Sequence, residues 1–160
     1  MSFTKSIKLA AGSFLGSGHL PKAPGTWGSL FFLPVIYAAS VLGPSWILWA
    51  ILAITIFLSL WSADACVKIY GDDPPSFVMD ECAGQTIPFL FTAFTSDPTH
   101  DLLLLLAGFV FFRFFDILKP LGIDALQHLP GKFGILADDL LAGLYALFIL
   151  EGLMFFLLAA

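Results

Sequence analysis

Charged residues are scarce in this chain, and their scarcity excludes some classes of protein. Of 160 residues, seven are Lys or Arg and twelve are Asp or Glu, so the formal net charge is −5 at pH 7. A nucleic-acid-binding protein needs a basic surface that neutralises phosphates. We therefore expect no nucleic-acid partner.

Cysteine is equally scarce. The chain has two, Cys66 and Cys82, and their separation does not match the short spacing of metal-binding cysteine pairs. Two cysteines do not make a disulfide framework. We interpret both as reduced packing residues.

Apolar residues dominate what remains. They make up 59% of the chain, with a mean hydropathy of +0.93, against roughly 45–50% in a typical soluble domain. Several runs approach the roughly 17–25 residues that a membrane helix needs, and none alternates like the strands of a membrane barrel. Residues 1–160 are therefore predicted to form a single all-α domain, a multihelical integral membrane bundle.

Turn signals rich in proline and glycine divide the apolar runs into helices. We expect about four or five membrane helices and a short N-terminal interfacial helix carrying Lys5 and Lys8. The third helix contains Pro88, and the sequence leaves open whether it spans or re-enters. The predicted ranges are about 26–42, 45–70, 83–95, 101–118 and 138–160.

The basic residues indicate an orientation for these helices. If all five cross, every Lys and Arg falls in, or next to, the loops of one side, which the positive-inside rule makes cytoplasmic. Most acids fall on that side too, so polar chemistry is predicted at the cytoplasmic membrane face. The seven cations are Lys5, Lys8, Lys22, Lys68, Arg113, Lys119 and Lys132.

The stretch FFRFFDILKP places three charges in an oily helix. Arg113, Asp116 and Lys119 are three residues apart, so they share one helical face. One interpretation is an intrahelical ladder of ion pairs with snorkelling ends. The other is functional: Asp116 ligates a metal while the two cations face a phosphate.

Two further acid pairs bear on that choice. DECAG contains Asp80 and Glu81, and DDLLAG contains Asp138 and Asp139; each pair precedes small residues that let helices approach closely. Either pair alone is explained by helix capping. Together with Asp116 they favour one shared oxygen-ligand site, which suits Mg²⁺.

The segment GSGHLPKAPGTWGSL is a weaker phosphate signal. Its glycines let backbone N–H groups converge, Lys22 adds a cation, and Thr26 or Ser29 lies where a helix start favours an anion. The spacing matches neither common nucleotide-binding loop. A tight turn at the membrane entry is the alternative.

Together these motifs resemble the phosphatidylglycerophosphatase A family. GSGHLPKAPGTWGSL, VMDECAGQ, FFRFFDILKP and LADDLLAG occur in that family's order and approximate spacing, over nearly the whole chain. The resemblance implies a compact multihelical fold in the bacterial inner membrane. It also implies a Mg²⁺-dependent phosphatase that converts phosphatidylglycerophosphate to phosphatidylglycerol and phosphate.

The sequence leaves open whether water attacks the phosphate directly or a covalent phospho-enzyme forms, and it predicts no oligomeric state. The rival hypothesis is a small membrane transport or assembly protein whose acid–base stripe is structural.

The predicted roles divide the motif residues into three overlapping groups. We predict catalytic roles for Asp80, Glu81, Asp116 and Asp139; substrate binding by Lys22, Thr26, Arg113 and Lys119; and metal binding by Asp80, Glu81, Asp116, Asp138 and Asp139.

Overall fold

The computed structural model describes residues 2–71, 74–95 and 97–159, and within these ranges the regular structure is helical, as predicted. Two short 3₁₀ turns, Ser17–His19 and Ile87–Phe89, link longer elements. The predicted end of the last helix at Ala160 lies outside the described residues. The helices are α1 Phe3–Gly12, α2 Pro24–Leu42, α3 Ile47–Tyr70, α4 Met79–Thr86, α5 Pro98–Leu118, α6 Ile123–Gln127 and α7 Lys132–Ala159.

Three helices in the described part of the chain are long and apolar enough to cross a membrane. They are Pro24–Leu42, Ile47–Tyr70 and Lys132–Phe156, with 19, 24 and 25 residues. At 1.5 Å per residue, even the shortest is close to the roughly 30 Å thickness of a bilayer core. Many of their large apolar side chains are exposed, for example those of Ile54, Phe57 and Phe148. Such exposure suits helices that contact lipid.

The last predicted helix was expected to begin at about 138, but α7 begins at Lys132, so Asp138 and Asp139 lie in its second turn and do not cap its start. The third predicted helix also differs from the expectation of 83–95. Helix α4 begins earlier, at Met79, and ends at Thr86, where a 3₁₀ turn containing Pro88 replaces it. Proline lacks the N–H that an α-helix needs and clashes with the preceding turn. The acid pair Asp80 and Glu81 therefore lies in the first turn of α4.

The α4 segment runs through the centre of the bundle. Every residue from Met79 to Phe89 is buried except Glu81. At its far end the chain reaches the start of α3, where the rings of Phe91 and Trp49 lie 5.6 Å apart. Protein therefore surrounds this segment along its length.

Glycines set the spacing between α4 and α7. A Cβ on Gly84 would lie 2.6 Å from the carbonyl oxygen of Asp139, and one on Gly143 would lie 2.5 Å from the carbonyl oxygen of Gly84. The two backbones are in direct contact, as the small residues of DECAG and DDLLAG predict. Asp80 lies one turn before Gly84, and Asp139 one turn before Gly143. The close contact therefore brings these two acids to the same end of the bundle.

Candidate active site

A polar cavity of about 280 Å³ lies at that end of the bundle. It collects charged side chains from α4, α5 and α7, together with the backbone at the start of α2. Seven of the nine predicted site residues line it; Lys22 and Thr26 do not. The lining residues are Ala23, Pro24, Gly25, Pro74, Pro75, Phe77, Asp80, Glu81, Arg113, Asp116, Lys119, Ile135, Asp138 and Asp139.

Three carboxylates cluster inside the cavity. Asp80, Glu81 and Asp139 each offer an oxygen, and these oxygens lie within 4.8 Å of one another. Asp80 and Asp139 are buried, with exposed fractions of 4% each. One Glu81 oxygen, Oε2, is buried without a hydrogen-bond partner among the described residues. Such a concentration of negative charge away from water calls for a cation.

The other two acids are held in ion pairs. Arg113 Nη1 lies 2.6 Å from Asp116 Oδ2, three residues along α5, and Lys119 Nζ lies 2.6 Å from Asp138 Oδ2 on α7. The predicted stripe is therefore one intrahelical pair and one interhelical pair. Lys119 ends α5 in the left-handed conformation, with φ of 48°.

The N-terminus of α2 closes one side of the cavity. Lys22 and Ala23 are both left-handed, with φ of 60° and 51°, and among the described residues no side chain caps the helix. At Gly25 there is no room for a side chain, because a Cβ would collide with Glu81 Oε1 and lie 3.4 Å from Arg113 Nη1. The residue of PKAPG that shapes the cavity is therefore Gly25, because its lack of a side chain lets α2 approach the acids.

The surroundings of Lys119 favour its charged form. Partial burial alone would lower its pKa, but the hydrogen bond and charge of Asp138, with the charges of Asp116 and Asp139, raise it above the ordinary value. Lys119 therefore remains a cation in the cavity.

The arrangement provides two kinds of binding capacity next to each other. The carboxylate cluster has hard oxygen donors for a divalent cation, and the unpartnered Glu81 oxygen fits a ligand position. Arg113 and Lys119 provide N–H donors that suit phosphate oxygens. An apolar helical bundle with such a site at one end fits the class of integral membrane phosphatases.

The chain belongs to the phosphatidylglycerophosphatase A family, whose profile matches residues 10–154. It is therefore a phosphatase. The match covers every residue of the cavity, including the three carboxylates and both cations.

Three curated proteins illustrate the relationship. Phosphatidylglycerophosphatase A of Haemophilus influenzae is 36% identical over 99% of this chain and 94% of its own length. Phosphatidylglycerophosphatase A of Escherichia coli is 34% identical over 89% of this chain and 78% of its own. A putative phosphatidylinositol-3-phosphatase of Bacteroides thetaiotaomicron is 35% identical over 88% and 89%. No solved structure matches the chain.

Proposed function

We propose that this protein hydrolyses the phosphomonoester of phosphatidylglycerophosphate at the cytoplasmic face of the bacterial inner membrane, in a Mg²⁺-dependent reaction. The observation that carries the proposal is the single cavity in which three clustered carboxylates lie beside Arg113 and Lys119. Two relatives that cover most of the chain are named for this activity.

Asp80, Glu81 and Asp139 are the residues that would hold the metal. Their oxygens are hard ligands, they come from two helices in backbone contact, and their burial makes the cluster unfavourable without a cation. A bound Mg²⁺ would polarise the phosphoryl group and offset its negative charge.

Arg113 and Lys119 would bind the phosphoryl oxygens. Each already donates to a carboxylate that lines the cavity, Arg113 to Asp116 on its own helix and Lys119 to Asp138 on α7, so both side chains are held in place before substrate arrives. Stabilising the charge that develops on the transferred group needs such prearranged donors. The uncapped start of α2 adds partial positive charge on the same side.

Asp138 is suited to orient the attacking water. Its Oδ2 accepts from Lys119, whereas Oδ1 is buried and has no hydrogen-bond partner within the described ranges. A carboxylate oxygen left free in this way can accept a proton from water. Attack by a carboxylate, with a phospho-enzyme intermediate, is the alternative path.

The membrane arrangement is part of the proposal. We infer that α5 and the buried α4 segment complete a bundle of four or five crossings, because α5 is 21 residues long and two of its three charged residues, Arg113 and Asp116, lie in the cavity while the third, Asp101, is in its first turn. The basic residues at the cavity end favour a cytoplasmic location for the site.

A second substrate has a specific argument in its favour. The Bacteroides thetaiotaomicron relative is named for phosphatidylinositol 3-phosphate, another lipid phosphomonoester. Both lipids present the group that the cavity fits, and they differ in the alcohol that leaves.

Phosphate release by the purified protein tests the proposal. The two lipids and soluble glycerol 3-phosphate should be compared at equal concentration, with Mg²⁺ and with a chelator, and a sample without protein serves as the blank. We expect Mg²⁺-dependent release that is fastest from phosphatidylglycerophosphate. Equal release with Mg²⁺ and with a chelator would refute the proposed metal dependence. Faster release from phosphatidylinositol 3-phosphate would mean that this lipid is the preferred substrate.

A further inference from the structure

Gln85 is a buried polar residue to which the proposed chemistry gives no role. It is the last residue of the VMDECAGQ motif and lies on α4 with an exposed fraction of 0%. Neither its amide nitrogen nor its amide oxygen has a hydrogen-bond partner among the residues that the structure describes. An unpartnered buried amide lowers stability, so its presence in the middle of the core needs an explanation.

The neighbouring unpartnered atoms belong to the cavity. Besides Gln85, the buried side-chain atoms without a partner in the described ranges are Glu81 Oε2, Arg113 Nε and Asp138 Oδ1. Glu81 lies four residues before Gln85, and side chains at this spacing lie on one face of a helix, about 5–6 Å apart at Cβ. Gln85 therefore lies one turn further along α4 than Glu81, on the same face of the helix.

Glu81 also connects this face of α4 with Arg113. Both Glu81 Oε1 and Arg113 Nη1 lie against Gly25, and the charge of Arg113 acts on the Glu81 carboxyl group. The two side chains therefore share one corner of the cavity.

The hydrogen-bonding capacities of these three residues complement each other. Glu81 Oε2 is an acceptor without a donor, and Arg113 Nε is a donor without an acceptor. A glutamine amide offers both a donor and an acceptor on one planar group. One amide between the carboxylate and the guanidinium would thus satisfy four unpartnered buried atoms.

We propose that Gln85 is a positioning residue of the active site. In the ligand-bound site its Nε2 donates to Glu81 Oε2 and its Oε1 accepts from Arg113 Nε. This holds a metal-binding carboxylate and a phosphate-binding guanidinium in fixed relative orientation. The inference rests on the proposed function, because it takes Glu81 and Arg113 as the groups that bind metal and phosphate. Supporting groups of this kind affect metal affinity or activity by about 10–100-fold.

Replacement by a side chain of similar length without hydrogen-bonding atoms tests the proposal. Gln85→Met removes the amide, and Gln85→Ala is a second variant for the case in which methionine does not pack. Thr86→Val is the matched control: Thr86 is the next residue, is also fully buried, and donates to Cys82 within its own helix. Turnover and the thermal midpoint should be measured for all three. The rise in midpoint caused by Mg²⁺ with inorganic phosphate should be measured as well.

We expect Gln85→Met to keep or raise the midpoint of the ligand-free protein, while turnover falls about 10–100-fold. The rise in midpoint with Mg²⁺ and phosphate should shrink, and Thr86→Val should leave turnover and this rise unchanged. The proposal is overturned if the folded Gln85 variants retain near-native turnover and a native rise in midpoint, or if Thr86→Val loses as much of either. Failure of the wild-type protein both to release phosphate and to respond to Mg²⁺ would overturn the proposed function and this inference together. An active wild type with equally active variants would overturn the inference alone.

Discussion

Arg113 combines two interactions that a single-site substitution can separate. It pairs with Asp116 through Nη1, and the same nitrogen lies 3.5 Å from the hydroxyl of Ser29 on α2. An arginine can hold two phosphate oxygens with its planar fork, whereas a lysine offers one compact charge. The phosphate-binding role that we propose for Arg113 therefore depends on shape as well as charge.

Arg113→Lys should lower turnover by about 10–100-fold, the loss expected when a hydrogen bond to a charged group worth ~1.5–3 kcal/mol is removed. Arg113→Ala should in addition lower the thermal midpoint, because it leaves Asp116 buried without its cation. Turnover and midpoint should be measured in one detergent at saturating Mg²⁺. Near-native turnover in the lysine variant, with a large stability loss in the alanine variant, would reduce Arg113 to a structural partner.

The acids differ in their partners, so their substitution should have different effects. Asp139 belongs to the carboxylate cluster, whereas Asp116 is paired with Arg113. Asp139→Asn should raise the Mg²⁺ concentration for half-maximal turnover by more than about tenfold, and Asp116→Asn should lower turnover with a smaller change in that concentration. Titration of activity with Mg²⁺ distinguishes them. The reverse order would make Asp116 the ligand and Asp139 the accessory group.

Helices α4 and α7 depend on glycine where their backbones meet. A methyl group at Gly84 or Gly143 would press on carbonyl oxygen or on neighbouring side chains, whereas Gly152, also in α7, has nothing within 4 Å of a Cβ. The crossing point is therefore sensitive to a single added carbon, and the same helix provides an insensitive position for comparison.

Gly84→Ala and Gly143→Ala should each destabilise the fold by about 1–3 kcal/mol, as overpacked cores do. Gly152→Ala should be neutral or slightly stabilising, because alanine favours helix by up to about 1 kcal/mol over glycine. Chemical or thermal unfolding of the three variants measures this. Equal effects at all three positions would mean that helix propensity, and not the close contact, determines the result.

The sequence predicted the long helices well because apolar runs between proline and glycine turns determine them. It placed the start of α4 too late, because DECAG is too polar to be recognised as part of an apolar run. It also placed the end too late, because the helix stops shortly before Pro88. The sequence also indicated that Asp80, Glu81, Asp116, Asp138 and Asp139 could share a site. It offered the pair of Arg113 with Asp116 as one alternative, but it did not indicate that Lys119 pairs with Asp138, since that depends on the left-handed turn at Lys119 and on the packing of α7.

Gly25 illustrates a signal that sequence reasoning read in part. The segment PKAPG suggested an anion site through Lys22, yet Lys22 is exposed and does not line the cavity. The cavity instead depends on the lack of a side chain at Gly25, because Glu81 occupies the space that a side chain would need. The sequence does not show this contact, since the two residues are far apart along the chain.

The whole bundle presents its polar cavity at one end, and labelling can test its orientation. Pro98 and His128 are exposed at opposite ends of the predicted topology, and the native cysteines Cys66 and Cys82 are buried and should give little background. In intact cells, a membrane-impermeant thiol reagent should label Pro98→Cys. It should reach His128→Cys only after the cells are opened. The opposite pattern would put the cavity on the outer side of the membrane.

The contact between α4 and α7 also has a consequence for biosynthesis. Two of the clustered carboxylates, Asp80 and Glu81, emerge from the ribosome well before the third, Asp139, which is on the last helix of the described chain. Until α7 inserts, the acids on α4 lack both the carboxylate that completes their cluster and the helix that buries them. A partly synthesised chain therefore has no assembled centre, and hydrolysis of membrane lipid begins only when the final helix takes its place.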